Sequence, residues 1–156
     1  MKKALQCLSA LFATATLAAC AHSGHHAQHI PTRHSIVSKY SFDETVAKLE
    51  HNIRAKNMTV FAVIDHQAAA AEYKLNMQPA KVIVFGTPKA GTPLMVKDPE
   101  FALQLPLKVL VTEQDGKVKV VFNNTKAVIH NSKIQYSEVE NTLANAEKLI
   151  KKTVSE

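Results

Sequence analysis

Leu107-Lys108-Val109-Leu110-Val111-Thr112, then Glu113-Gln114-Asp115-Gly116, then Lys117-Val118-Lys119-Val120-Val121-Phe122 is the stretch that decides the fold. Two β-rich runs flank an Asp-Gly pair, and that pair suits the tight turn of a hairpin. The two runs are expected to pair antiparallel. Upstream, Lys81 to Phe85 is a third β-rich run that stops at Gly86, and Ser35 to Tyr40, with β-branched Ile36 and Val37, fits a first strand. Met58 to Asp65 is apolar on both alternate faces, the pattern of a strand inside a covered sheet. Ala68 to Ala71, with Glu72 and Tyr73, reads as a short helical turn.

Two segments carry helical spacing instead. Ser41 and Glu44 form a capping box, in which the serine oxygen takes an orphan amide and the glutamate reaches back to the cap. Phe42, Val46, Leu49 and Ile53 then make one apolar stripe, and Asn57 can close the helix in the left-handed region. Ser137 and Glu140 read as a second box, ahead of Val139, Leu143, Ala146 and Ile150. Lys148, Lys151 and Lys152 fall in the last turns, where they suit the negative end of the helix dipole. Five strands without regular strand-helix alternation point to the α+β class: a single, mostly antiparallel sheet of about five strands with helices on one face.

The amino end has a different character. Lys2 and Lys3 precede an apolar stretch from Ala4 to Leu17, and small residues follow at Ala18 and Ala19, the three regions of a secretory signal. Gln6, Ser9, Thr14 and Thr16 interrupt the stretch, which is short of the roughly 20 apolar residues a spanning helix needs. The run Leu17-Ala18-Ala19-Cys20 resembles the lipobox of a bacterial lipoprotein precursor. That resemblance implies cleavage before Cys20 and lipid on its sulfur, which would attach the chain to a membrane of the cell envelope. Several acyl chains give lasting attachment, since each buried methylene contributes about 0.8 kcal/mol. Ala21 stands where an aspartate would resemble an inner-membrane retention signal, so the expected home is the outer membrane. The chain thus divides into a signal peptide (1–19), a lipidated cysteine with a His-rich flexible tether (20–34) and one α+β domain (35–156).

Composition narrows the partners. The only cysteines are Cys7, inside the segment to be discarded, and Cys20, so the domain has no thiol and must be stabilised by packing. The formal charge of +6 includes Lys2 and Lys3, and the remaining excess is spread along the chain. Aromatic residues are only 6% and alternate with no basic run, which argues against a nucleic-acid surface. In the tether, His22, His25, His26 and His29 have a spacing that on a helix would put four imidazoles on one face, and His34 follows soon after. Neutral imidazoles suit Cu, Ni or Zn, which makes these five histidines the candidate metal ligands. Ser23 and Gly24 are poor helix formers, and a solvated polar leash is the plain alternative. A third reading has the tract gain charge in mild acid and lie down on anionic head groups.

Three further blocks follow in order: Asp65-His66-Gln67 with Ala68 to Ala71, Gln78 to Met95 around Gly86-Thr87-Pro88, and Leu105-Pro106-Leu107 running into the hairpin. Together they resemble the bacterial and archaeal family called domain of unknown function 302, over about residues 38–125. The resemblance implies a small α+β domain of a kind that can self-associate, and it implies no settled activity. Thr87 stands where that pattern has asparagine, and Phe122 where tyrosine is common.

The blocks also have a direct physical reading. Gly86, Pro88, Gly91 and Pro93 are expected to confine a sharply turning loop, whose exposed amides could meet a ligand; these are the candidate binding positions. Lys89 is not followed by Ser or Thr, so this is no phosphate loop. Asp65 and His66 are the candidate catalytic pair, a carboxylate that could orient an imidazole base, with Glu72 or Tyr73 as helpers. Local hydrogen bonding at the end of a strand is the plainer role for that pair, and no nucleophile elbow completes it. The reading that follows is a lipid-anchored, non-enzymatic binding module for a small ligand, metal or protein partner, with its site in the concavity between the sheet and residues 86–95. The alternatives are a hydrolytic or other enzyme using Asp65 and His66, and a structural surface lipoprotein that acts as a homo-oligomer.

Overall fold

The computed structural model describes residues 32–156; the expected signal segment, Cys20, His22, His25, His26 and His29 lie outside the described residues. Strands β1 (Arg33–Val37), β2 (Thr59–Asp65), β3 (Ala80–Gly86), β4 (Leu107–Gln114) and β5 (Lys117–Asn123) form one sheet in the order β1-β5-β4-β3-β2. Every neighbouring pair is antiparallel. The hairpin that organises it is the one expected. Asp115 (φ 54°) and Gly116 (φ 69°) both adopt the left-handed backbone that a two-residue turn requires, and Gln114 pairs with Lys117 across it. Strand β1 opens at Arg33, so the folded domain takes in two residues that the tether was expected to hold.

Helix α1 (Phe42–Ala55) starts as its sequence dictates. The Ser41 amide donates to Glu44 Oε2 at 3.1 Å and the Glu44 amide donates to Ser41 Oγ at 3.4 Å. Val46, Leu49 and Ile53 are buried, and Asn57 closes the end with φ 57°. At the other end of the chain, α6 (Leu143–Ser155) buries Leu143, Ala146, Ile150 and Val154. Asn52 Nδ2 donates to Thr153 Oγ1 at 3.0 Å, tying the two helices together. Both lie on the same face of the sheet, where Ile83, Phe85, Val109, Val111, Val120 and Phe122 are buried beneath them. The shorter helices are α2 (His66–Glu72), α3 (Pro88–Lys97), α4 (Thr125–Val128) and α5 (Tyr136–Val139), with a 3-10 turn at Pro99–Leu103. A second apolar cluster of Leu94, Phe101, Val128, Ile134, Val139 and Leu143 joins α3 and that turn to the carboxyl-terminal helices.

Three expectations are corrected. Strand β2 is at the edge of the sheet, not inside it, and Phe61, Val63 and Ile64 remain 51%, 40% and 45% exposed. Apolar residues on both faces of a strand report its composition, not which neighbours cover it, and a register shift between Val60 and Ala62 further disturbs this edge. The segment from Gly86 to Pro93 is not a loop, because α3 begins at Pro88. Proline is pre-organised for the first helical position, and Pro93 forfeits only the bond to the Lys89 carbonyl while buried Gly91 and Leu94 hold the helix in place. The second capping box is formed by Gln135 and Glu138, not Ser137 and Glu140, and it opens only α5; α6 starts afresh after Thr142, with no side-chain cap.

Because packing alone stabilises the domain, Phe85→Ala is expected to lower its unfolding free energy by about 3–5 kcal/mol, whereas Ser41→Ala costs about 1 kcal/mol. Denaturant unfolding measures both, and equal losses for the two variants would contradict this account of the core.

Candidate functional site

The break between β3 and α3 opens a hollow at one end of the sheet. Strand β3 runs out at Gly86, α3 departs from Pro88, and the chain returns through Leu105 and Pro106 into β4. The first turns of α6 and the start of β2 complete the walls. The result is a solvent-open cavity of about 710 Å³, within the roughly 300–1,000 Å³ of small-molecule sites. Its wall is largely carbon, from Met58, Phe61, Met95, Leu105, Leu107 and Leu149 among others. Lys56, Lys148 and Lys152 stand among the lining residues, with Asn141 and Asn145 as further polar groups.

Gly86, Pro88 and Gly91, singled out in the sequence, all line this cavity, though for a reason other than turning. Neither glycine has positive φ. A Cβ on Gly91 would come within 3.2 Å of Leu105 Cδ1, and one on Gly86 within 3.7 Å of Phe61 Cε2 and Pro106 Cβ. Gly91 therefore lets α3 approach Leu105 closely, whereas a side-chain carbon at Gly86 would make ordinary contacts. Thr87 also lines the cavity, and its side chain does not cap α3.

The Asp65-His66 pair has a local task. Asp65 Oδ1 accepts the Ala68 amide at 2.9 Å and so caps α2, while Asp65 Oδ2 lies 3.4 Å from Lys81 Nζ. The amide of Ala68 foremost, and Lys81 beside it, hold this carboxyl below the usual aspartate range, which makes it a weak base. His66 is exposed at the start of α2, and no hydrogen bond joins it to Asp65 among the described residues. Glu72 is exposed and Tyr73 is 78% exposed. None of these four residues lines the cavity.

One half-buried cluster was not foreseen. Glu147, on α6, accepts the Thr125 amide and hydroxyl at 2.8 Å each through Oε2, and Lys151 Nζ donates to its Oε1 at 2.8 Å. His34 Nε2 lies 2.8 Å from the same Oε1; an ionised carboxylate only accepts, so Nε2 is the protonated nitrogen. Burial pushes the Glu147 carboxyl up, but Lys151, Thr125 and His34 together outweigh it and bring the group down to about 2. His34 therefore belongs to a strand and to this junction of β1, α4 and α6, not to a free metal-binding leash. The i,i+4 spacing of Glu147 and Lys151 was visible in the sequence; the reach to Thr125 and His34 was not.

Among the described residues, no three His, Cys, Asp or Glu groups gather in a way that could hold a metal ion. No helix among them is long and apolar enough to cross a membrane.

Fold and hollow together define a small antiparallel α+β domain with helices on one face and an apolar cavity at one end of the sheet. The chain belongs to the family described as domain of unknown function DUF302, whose family model matches residues 34–152. An uncharacterised conserved DUF302 protein from Bacillus stearothermophilus has a similar crystal structure, with a TM-score of 0.67 at 15% identity, over 80% of this chain and 97% of that one. That likeness is one of fold. Among curated proteins, the chain is 34% identical over 91 residues to fluoride-specific ion channel FluC 1 of Brucella suis biovar 1 (strain 1330). Fluoride-specific ion channel FluC 2 of Brucella melitensis biotype 1 (strain ATCC 23456 / CCUG 17765 / NCTC 10094 / 16M) matches to the same extent. These matches take in 58% of this chain but only 36% and 34% of those relatives, so the chain spans about a third of their length.

Glu147 makes acid sensitivity testable. Its folded pKa of about 2 lies below the ordinary 4.5, so its stabilisation is complete above about pH 4.5 and fades as pH falls toward 2. Glu147→Gln is therefore expected to be destabilising at pH 7, with the gap to the wild type closing in acid. Unfolding curves from pH 7 to pH 2 measure this, and a gap that stays constant would remove Glu147 from the acid response.

Proposed function

We propose that this DUF302 protein is a lipid-anchored component of the bacterial cell envelope whose domain works as a binding module and not as an enzyme. The observation that carries the binding reading is the cavity of about 710 Å³. A hollow of that size with a mainly apolar wall suits the body of a small organic molecule, and a few polar groups at its edge can orient it. The candidate acid-base pair supports the same reading, since Asp65 is occupied as a helix cap and neither Asp65 nor His66 faces the hollow. The anchor rests on the lipobox resemblance around Cys20. The fluoride channel activity in the Brucella names belongs to proteins of which this chain matches about a third, and it is not assigned here.

The neutral fluorescent probe N-phenyl-1-naphthylamine tests the cavity. It is expected to bind at one saturable site and to raise the melting temperature; at a hundred times its Kd, a ligand stabilises the folded state by about 2.7 kcal/mol. Ala90→Trp, which fills the cavity from α3, should abolish both effects, and probe binding untouched by that variant would refute this site. For the anchor, the Cys20→Ser precursor should lose its place in the membrane fraction, and intact mass should show acylation of the wild type. An unmodified Cys20 in native protein would end that part of the reading.

Self-association is a second reading, favoured by the uncovered edge strand β2 with Phe61, Val63 and Ile64 exposed. A row of free amides and carbonyls beside such side chains is a template for a second copy of the chain. Sedimentation should show dimers that Ile64→Lys converts to monomers; a monomeric wild type would contradict it.

A further inference from the structure

The cavity has a chemical asymmetry that its size does not require. Three ammonium groups, those of Lys56, Lys148 and Lys152, stand among its lining residues, and not one Asp or Glu does. Lys152 has an acidic partner nearby, Glu156 at 3.3 Å, but both side chains are about 70% exposed and that pair is weak. Lys56 and Lys148 form no ion pair among the described residues. On α6, Asn145, Lys148 and Lys152 recur at helical spacing and belong to the lining, with Asn141 just ahead of the helix, so one face of α6 gives the cavity a donor-rich edge.

We infer that the cavity takes an anionic amphiphile: an apolar chain or ring system seated against Met58, Phe61, Met95, Leu105 and Leu149, with one carboxylate or phosphate head held by Lys56, Lys148 and Lys152. This rests on the binding reading above and narrows it to a charge class. A neutral apolar molecule would gain nothing from the three lysines, and a cation would be repelled by them. An anionic head gains from each lysine while the chain gains from leaving water. Carboxylate and phosphate heads share this chemistry, and the experiment separates them.

Decanol, decanoate, decyl phosphate and decyltrimethylammonium, each below its micellar concentration, would be used to displace N-phenyl-1-naphthylamine from the domain. At least one of the two anions is expected to bind about tenfold tighter than decanol, the combined effect of three exposed lysines that each contribute a fraction of a kcal/mol. The preferred anion identifies the head, and decyltrimethylammonium should bind worst. The triple variant Lys56→Gln/Lys148→Gln/Lys152→Gln changes only exposed side chains and should fold. It should bring the anions to the level of decanol and leave decanol unchanged, and added salt should mimic it in the wild type. Anions that bind no better than decanol, or a preference that survives the triple variant, overturn the inference and leave the apolar cavity standing. If the naphthylamine probe itself does not bind, the inference and the binding reading fall together.

Discussion

The whole architecture depends on one burial. Ile83, Phe85, Val109, Val111, Val120 and Phe122 project from a single face of the sheet, and α1 and α6 close over them. The described domain has no cysteine with which to staple itself, so this contact between two helices and three strands carries the stability. The two helices come from opposite ends of the domain. Covering the face therefore brings the Asn52 amide to Thr153 and Glu147 to His34, and it closes the chain on itself. The cavity is a by-product of the same arrangement: it opens where Gly86 ends β3 and α3 turns aside, at the rim of the main core, from which Met58, Leu107 and Leu149 reach into its wall.

Much of this was legible in the sequence because local chemistry and tertiary packing agree. Asp115-Gly116 demands positive φ and sits between two period-two runs, so the hairpin follows from a few residues. The Ser41-Glu44 box and the stripe through Ile53 likewise define α1 without reference to anything distant. Other segments carried local signals that packing overrode. Pro88 and Pro93 read as breakers, yet one is well placed at a helix start and the other interrupts a single bond. The apolar run of β2 looked interior, but strand order is a long-range property, and nothing in Met58 to Asp65 says that only one neighbour will pair with it.

The candidate site was visible in outline and misread in mechanism. Gly86, Pro88 and Gly91 were chosen for a turning loop, yet Pro88 starts a helix and Gly91 matters for close approach, a distinction that depends on where Leu105 lies. Lys148 and Lys152 were assigned to a helix dipole, although their place among the cavity residues depends on which face of α6 meets α3 and β2. Asp65-His66 attracted attention as a pair because carboxylate and imidazole are adjacent in sequence. Adjacent residues at a strand end point in different directions, and the cap to Ala68 claimed the aspartate. Glu147 escaped notice because its partners are distant: Thr125 and His34 become neighbours only after the sheet has formed.

Phe61 occupies two surfaces at once. It is half exposed on the edge strand β2, and it also forms part of the hollow's wall. Any molecule in the hollow and any chain added along that strand would share this one aromatic ring, so neither event could be energetically independent of the other. Thermodynamic reciprocity then fixes the relation: whatever factor ligation imposes on assembly, assembly imposes on ligation.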